Sequence, residues 1–341
     1  MSLLLRLSLA LALVLAFPAA GAAAAPKTRS AAPADRDYTG VIVVDAADGK
    51  VLFEDGADVA AYPASVTKLM NLLLCVEAIE GGKARLGDQL TVTAEEARMG
   101  GSQVFLKEGE VFSFEDMLYA MMVQSANDAA LACANHVGGT REAFVTAMNA
   151  RAAQLGMRQT KFTTPHGLAS KGQQADTSTP RDIATLSREV VRHALALKFT
   201  ATKKRTFRQE PLLVMDNHNK LLGTVPGCDG LKTGYLARGG YALSATVFRD
   251  GKRVIAVVMG SKGIYGRQRD AIARRLIAEH FDKASPLPAE MVPQEPEPEL
   301  AIPVDPNEPA TLPAEEADDE ETPADEPKVE FRFPGAKPAG K

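Results

Sequence analysis

The chain of 341 residues contains no tryptophan, 3 cysteines and 5 histidines. Each shortage excludes something. Cys75, Cys133 and Cys228 are an odd set, so they cannot all pair with one another. Cys75 and Cys133 fall on apolar helical patterns and read as buried free thiols. The histidines (His136, His166, His193, His218 and His280) are scattered. They form no H-E-x-x-H or similar pair, and apart from Cys133 with His136 none stands near a cysteine, which is too few ligands to draw a zinc site. Long apolar runs are missing too. Past residue 285 no stretch could span a membrane, and Phe331-Arg332-Phe333 is too short for an amphipathic anchor.

The N-terminus does carry an apolar stretch. Arg6 is followed by Leu7 to Phe17, then Pro18 and a run of alanines and glycine to Ala25. That is the layout of a secretory signal with small-residue cleavage sites, expected over 1–25. The alternative is an uncleaved anchor. Residues 26–37 read as a linker. Hydrophobic residues make up 45% and charged residues 24%, which suits a globular enzyme with a full core. The net charge of -4 is unevenly spread. Residues 286–341 hold 15 acids, 4 bases and 13 prolines, a net of -11, which leaves +7 on residues 1–285. A stretch so acidic and proline-rich cannot bury a core. The expected division is therefore a folded body over 38–285 and a disordered tail over 286–341.

Within the body, Gly40 to Asp45 reads as a strand, Asp48-Gly49 as a turn and Val51 to Glu54 as the returning partner. A buried helix begins after Pro63 and runs to Gly81-Gly82. Gln89 to Thr93 reads as a short strand. Helices follow from Ser113, from about Ala129, from Thr140 to Leu155, and from Thr179-Pro180. Strands return over Cys228 to Gly234, Tyr241 to Phe248 and Arg253 to Met259, and Arg267 to Phe281 closes as a helix. Strands at both ends with helices between predict an antiparallel sheet joined by the two chain ends.

Three short patterns carry chemistry. The first is Ser65-Val66-Thr67-Lys68, which puts a hydroxyl and an ammonium on one face, a turn apart. A lysine out of water and near other cations gives up its proton and acts as the base for the serine. An isolated Ser-x-x-Lys reads equally as a helix cap. The second is Ser125-Ala126-Asn127, which interrupts two helices; alone it could be a capping box. The third is Lys232-Thr233-Gly234 at a strand end, which alone could be a strand with a turn glycine. Together they supply the parts of acyl transfer from a peptide. Ser65 is the nucleophile and Lys68 the base. Ser125, backed by Lys232, passes a proton to the leaving nitrogen. Asn127 orients the substrate amide. Gly234 leaves room for a substrate antiparallel to the strand, and Lys232 with Thr233 suits a substrate carboxylate.

In this trio the chain resembles the low-molecular-mass penicillin-binding proteins, the serine-type D-Ala-D-Ala carboxypeptidases. Supporting runs are Gly101-Ser102-Gln103 to Gly109-Glu110, Asn127-Asp128-Ala129-Ala130, Pro165-His166-Gly167-Leu168 and Asp229 to Tyr235. The resemblance covers about Tyr38 to Lys283. It implies an α+β fold: an antiparallel sheet flanked by helices, beside an all-helical region. It implies an oxyanion hole from the backbone N–H groups of Ser65 and Tyr235, and a further arginine for the substrate carboxylate, here Arg267. Arg267 also reads as a solvated charge in a run with Arg269, Arg274 and Arg275. The implied substrates are peptidoglycan stem peptides, with β-lactams as covalent inhibitors, in the periplasm or cell envelope. No cofactor, metal or nucleic acid is implied. Many relatives carry a second all-β domain and a C-terminal membrane helix, where this chain has its acidic tail.

Three other functions share these residues. An endopeptidase cutting cross-links would use the same trio with a wider cleft. A β-lactamase would add a deacylating glutamate in a Glu-x-x-x-Asn pattern, which Glu142, Glu189 and Glu210 do not form. A cell-wall binding protein would have lost part of the trio, and all of it is present.

Overall fold

The computed structural model describes residues 36–169, 172 and 174–292. The expected signal segment, most of the expected linker and the chain beyond residue 292 lie outside the described residues. The first strand, β1 (Gly40–Asp45), is buried along its whole length. It turns through Gly49, at φ 80°, into β2 (Val51–Asp55). One 3-10 turn, Ala64–Thr67, then leads into α1 (Lys68–Glu80), which stops at Gly81. Next come β3 (Gln89–Thr91), the short α2 (Ala94–Ala97), β4 (Val111–Ser113), α3 (Phe114–Val123), α4 (Asn127–Gly138) and α5 (Arg141–Gln154). The side chains of Ser113 and Thr140 accept the N3 amides of α3 and α5, as capping residues do. Pro180 opens α6 (Pro180–Val190) behind the cap Thr179, and α7 (Ala194–Ala201) follows. A hairpin of β5 (Lys204–Gln209) and β6 (Leu212–Asp216) precedes β7 (Cys228–Leu236), β8 (Gly240–Arg249), β9 (Lys252–Ser261) and α8 (Arg267–His280).

The main sheet is antiparallel throughout, in the order β2-β1-β9-β8-β7. Its central pair joins the two ends of the body: Gly40 lies opposite Met259 and Asp45 opposite Val254. Alternation along β1 decides which core each residue enters. Val41 and Val43 pack with Ile272, Ala273, Leu276 and Ile277 of α8. Ile42 and Val44 face the other way, into the large core of α1, α3, α4, α5, α6 and α7. The sheet is thus covered on both faces, and β7 is left as an edge. This is the antiparallel sheet that the strand pattern predicts, in the α+β architecture that the family resemblance implies.

Three details differ from the pattern read in the sequence. The β5–β6 hairpin and α7 were not anticipated. Ser65 stands in the 3-10 turn rather than in the first turn of an α-helix. Packing also continues past the expected boundary at 285: Ser285 donates its N–H to Asp45 Oδ2 (2.7 Å), and Leu287 and Met291 are buried in the main core. Among the described residues no helix is long and apolar enough to cross a membrane.

Candidate active site

The nucleophile candidate is fixed by backbone against backbone. Ala64, just before Ser65, has φ 47°, a left-handed conformation that costs a non-glycine residue about 1–2 kcal/mol. Two glycines hold it there. A Cβ on Gly234 of β7 would lie 2.6 Å from Pro63 O and 3.0 Å from Ser65 N. Gly167, at φ 93°, presses on the Ala64 carbonyl so closely that no Cβ fits. The edge strand and the 165–168 loop therefore both require glycine where they meet the turn, and the Ser65 amide is set against β7.

Lys68 opens α1 and has no solvent exposure. Its Nζ lies 2.9 Å from Ser65 Oγ, 2.7 Å from Asn127 Oδ1 and 2.9 Å from His166 O. Burial, followed by the positive field of Lys232, holds its ammonium well below the usual lysine range, although the Asp128 and Asp176 carboxylates oppose this. Asn127 is held as firmly. Its N–H donates to Ser102 O (2.7 Å) and its Nδ2 to Gly100 O (2.8 Å), which leaves Oδ1 for the lysine. Ser125 is buried two residues earlier, with φ 61°. Asp128 accepts the amides of Val104, Leu106 and Ala129 and ties the 100–106 loop to the start of α4.

The remaining walls come from β7 and from the loop after α5. Lys232 is buried in β7, and its Nζ makes one hydrogen bond, to Thr233 O at 3.2 Å. Burial first, and the Arg269 guanidinium second, lower its pKa to about 7. The strand is anchored upstream by the fully buried Arg253, which holds both oxygens of Asp229 at 2.9 and 2.7 Å. Asp176 holds the other wall: its carboxylate accepts Thr67 Oγ1 at 2.9 Å, the N–H and hydroxyl of Thr163, and those of Thr164. Asn71 adds bonds to Ala130 O and Pro165 O, both 2.9 Å. The His166 carbonyl is so aimed at Lys68, while the buried His166 ring, its pKa near 3, stays neutral.

Of the residues singled out from sequence, Ser65, Lys68 and Asn127 are joined by direct contact and Gly234 by backbone packing. Lys232 is close enough for its charge to act on Lys68. Thr233 is buried beside it, and Tyr235 is exposed. Arg267 stands apart. It begins α8, is exposed, and its guanidinium has no hydrogen bond or ion pair among the described residues. Arg269, two positions on, is the buried one: it pairs with Asp270 at 2.9 Å and acts electrostatically on Lys232. Sequence reasoning also missed Asp176 and His218. The pKa of His218 is lowered to about 3 by burial, then by Lys232, Lys220, Arg269 and Lys68. Elsewhere Glu77, Glu189 and His193 bring their ligand atoms together, but the Arg151 guanidinium bridges both carboxylates at 2.7 Å.

A serine against a buried lysine, between a helical region and a sheet edge, is the arrangement of the penicillin-binding proteins. Solved structures of that class superimpose on this one. Penicillin-binding protein 5 from Haemophilus influenzae matches with a TM-score of 0.67 and 30% identity, over 74% of this chain and 73% of that one. Penicillin-binding protein D2 from Listeria monocytogenes, in its ampicillin-bound form, matches at 0.64 and 29%, over 75% of this chain and 100% of that one. Within the class, the chain belongs to the D-alanyl-D-alanine carboxypeptidase family, whose sequence model matches residues 27–263. The D-alanyl-D-alanine carboxypeptidase DacF of Bacillus subtilis is 36% identical over 222 residues, 64% of this chain. This chain spans 56% of that relative's length.

Proposed function

We propose that the protein is an exported serine D-Ala-D-Ala carboxypeptidase, removing the terminal D-Ala from peptidoglycan stem pentapeptides through an acyl-enzyme on Ser65. The observation that carries this reading is the 2.9 Å contact between Ser65 Oγ and a lysine held below its usual pKa. A neutral Lys68 has two N–H bonds and one lone pair. Asn127 Oδ1 and His166 O take the two N–H groups, so the lone pair faces the Ser65 hydroxyl. The amine then receives the serine proton as Oγ attacks the penultimate D-Ala carbonyl. The developing oxyanion is received by the N–H groups of Ser65 and Tyr235, which Gly234 allows to approach each other.

The substrate lies antiparallel along β7, the edge strand, with its carboxylate at Lys232 and Thr233. Arg269, rather than Arg267, supports that end, because it is the arginine buried beside Lys232. The proton taken up by Lys68 is relayed through the Ser125 hydroxyl to the leaving D-Ala nitrogen, and water then attacks the acyl-enzyme carbonyl and releases Ser65 with its proton restored. β-Lactams acylate the same serine, as the ampicillin-bound form of the Listeria relative suggests for this fold. Residues 1–25 serve as the export signal, and the body works in the periplasm or cell envelope.

The test is covalent labelling. A fluorescent penicillin labels the wild type at Ser65, and purified protein releases D-Ala from a pentapeptide. Ser65→Ala abolishes both while leaving the far-ultraviolet circular dichroism unchanged. Labelling of another serine in that variant would overturn the assignment.

A further inference from the structure

The end of the sheet from Tyr235 onward carries side chains that the chemistry at Ser65 does not use. Tyr235 is 48% exposed, Tyr265 42% and Ile264 69%. Tyr235 and Tyr265 are joined through Tyr241. The Tyr235 ring packs on Tyr241 with centroids 4.5 Å apart, and the Tyr241 hydroxyl accepts the Tyr265 N–H at 3.0 Å. Tyr265 is held at φ 53°, between Gly263 at 103° and Gly266 at 69°. A non-glycine residue keeps such a conformation only where its surroundings impose it. The result is an aromatic shelf made by the end of β7, the start of β8 and the β9–α8 loop, which meet because Tyr241 pairs with Ser261.

The charge around the shelf has one sign. The β7–β8 turn contributes Arg238 and the β9–α8 loop contributes Lys262, with Arg267 beginning the helix after it. All three are exposed, and none forms an ion pair among the described residues. Neither loop contains an acid between residues 235 and 241 or between 261 and 267. The carboxylates close by are engaged: Asp37 accepts Gln268 Nε2 at 2.9 Å, and Asp270 holds Arg269.

Substrate direction says what would reach this shelf; the step rests on the function proposed above. A peptide antiparallel to β7, with its carboxylate at Lys232 and Thr233, runs upstream past Tyr235. The residue before the two D-alanines is the third of the stem, a diamino acid with a long aliphatic side chain. We propose that the shelf is the subsite for that side chain and selects a diamino diacid, whose far end bears a carboxylate, over lysine. The methylenes lie on Tyr235, Tyr265 and Ile264, and the far carboxylate meets Arg238 and Lys262.

The experiment compares D-Ala release by the full chain from three pentapeptides that differ only in the third residue. These are L-lysine, meso-diaminopimelate, and meso-diaminopimelate amidated at its far carboxylate. The free diacid is favoured in kcat/KM by about fivefold, a modest ratio because exposed ion pairs contribute little. The ratio shrinks as salt is added. In the double variant Arg238→Ala/Lys262→Ala it collapses to near one. In Tyr265→Ala all three peptides slow together and the ratio is kept. Equal rates on the three peptides in the wild type, or a ratio that survives the double variant, would overturn the subsite. Failure of the underlying function looks different: the wild type would then neither label with penicillin nor release D-Ala from any of the peptides.

Discussion

The two sides of the site each bury a lysine, and the two lysines are treated differently. On the helical side Lys68 touches three oxygens, from Ser65, Asn127 and His166. On the sheet side Lys232 makes one bond among the described residues, to its neighbour's carbonyl. Burial lowers the pKa of both. In the proposed mechanism the neutral form of the first lysine has its hydrogens on Asn127 and His166 and turns its lone pair to the Ser65 hydroxyl. The second has one partner among the described residues, and in the proposed mechanism the substrate carboxylate supplies another. A buried amine becomes a base where its hydrogens are already placed, and a binding group where they are not.

The sharpest way to break this comparison is Lys68→Arg. Arginine keeps a positive charge and cannot lose it. Penicillin acylation should fall by about 10²–10⁴-fold, read as the rate of fluorescent labelling; normal labelling would make Lys68 a structural charge. Lys232→Ala should cost less, about ten- to a hundredfold, and selectively. The loss falls on a peptide with a free terminal carboxylate and is small on the same peptide amidated.

Arg269→Ala and Arg267→Ala separate a working arginine from a solvated one. The Arg269 guanidinium lowers the pKa of Lys232, so removing it raises that pKa. Lys232 must be protonated to hold a carboxylate, so turnover of the free-carboxylate peptide falls as pH rises through its pKa, about 7 in the unliganded protein. In Arg269→Ala this alkaline limb moves to higher pH and turnover drops; in Arg267→Ala the limb stays where it was. A shift with Arg267→Ala alone would return the role to that residue. The smallest effect is at the C-terminal end. Truncation after Val292 should leave pentapeptide turnover unchanged. Truncation after Ala284 removes the buried Leu287 and Met291 and should lower unfolding stability by about 3 kcal/mol, measured by urea denaturation.

Where the sequence could be read, local pattern and tertiary demand agreed. The apolar runs of β1, β8 and β9 could only be core strands, and two of the motifs stand where elements begin, Ser65 before α1 and Asn127 at the start of α4; Lys232 to Gly234 lie within β7 rather than at the strand end the sequence suggests. The β5–β6 hairpin hid because its sequence, Lys-Arg-Thr-Phe-Arg-Gln, has no apolar alternation. It is held by distant partners: Arg205 lies over the Tyr119 ring at 4.0 Å, and Arg208 pairs with Glu110. The 3-10 turn at Ser65 is likewise set from outside, by Gly167 and Gly234. The choice between Arg267 and Arg269 was legible in principle. Arg269, Ile272, Ala273, Leu276, Ile277 and His280 recur at helical spacing and mark the buried face of α8, which excludes Arg267. Asp176 left no such signal, since its five bonds come from threonines far away in the chain or across a loop.

The pairing of β1 with β9 has a consequence for when the protein can act. Residues 40–45 carry the chain toward the Ser65 turn, but their partner strand is 254–259, near the far end of the body. The turn itself rests on Gly234 of β7, which reaches the sheet only through β8 and β9. During synthesis the first strand therefore waits, unpaired on that side, until almost the whole body has emerged. A chain emerging N-terminus first carries Ser65 and Lys68 early, yet holds no assembled nucleophile. On the proposed function, reactivity toward peptides and β-lactams arrives with the last strand, and an unfinished chain has none.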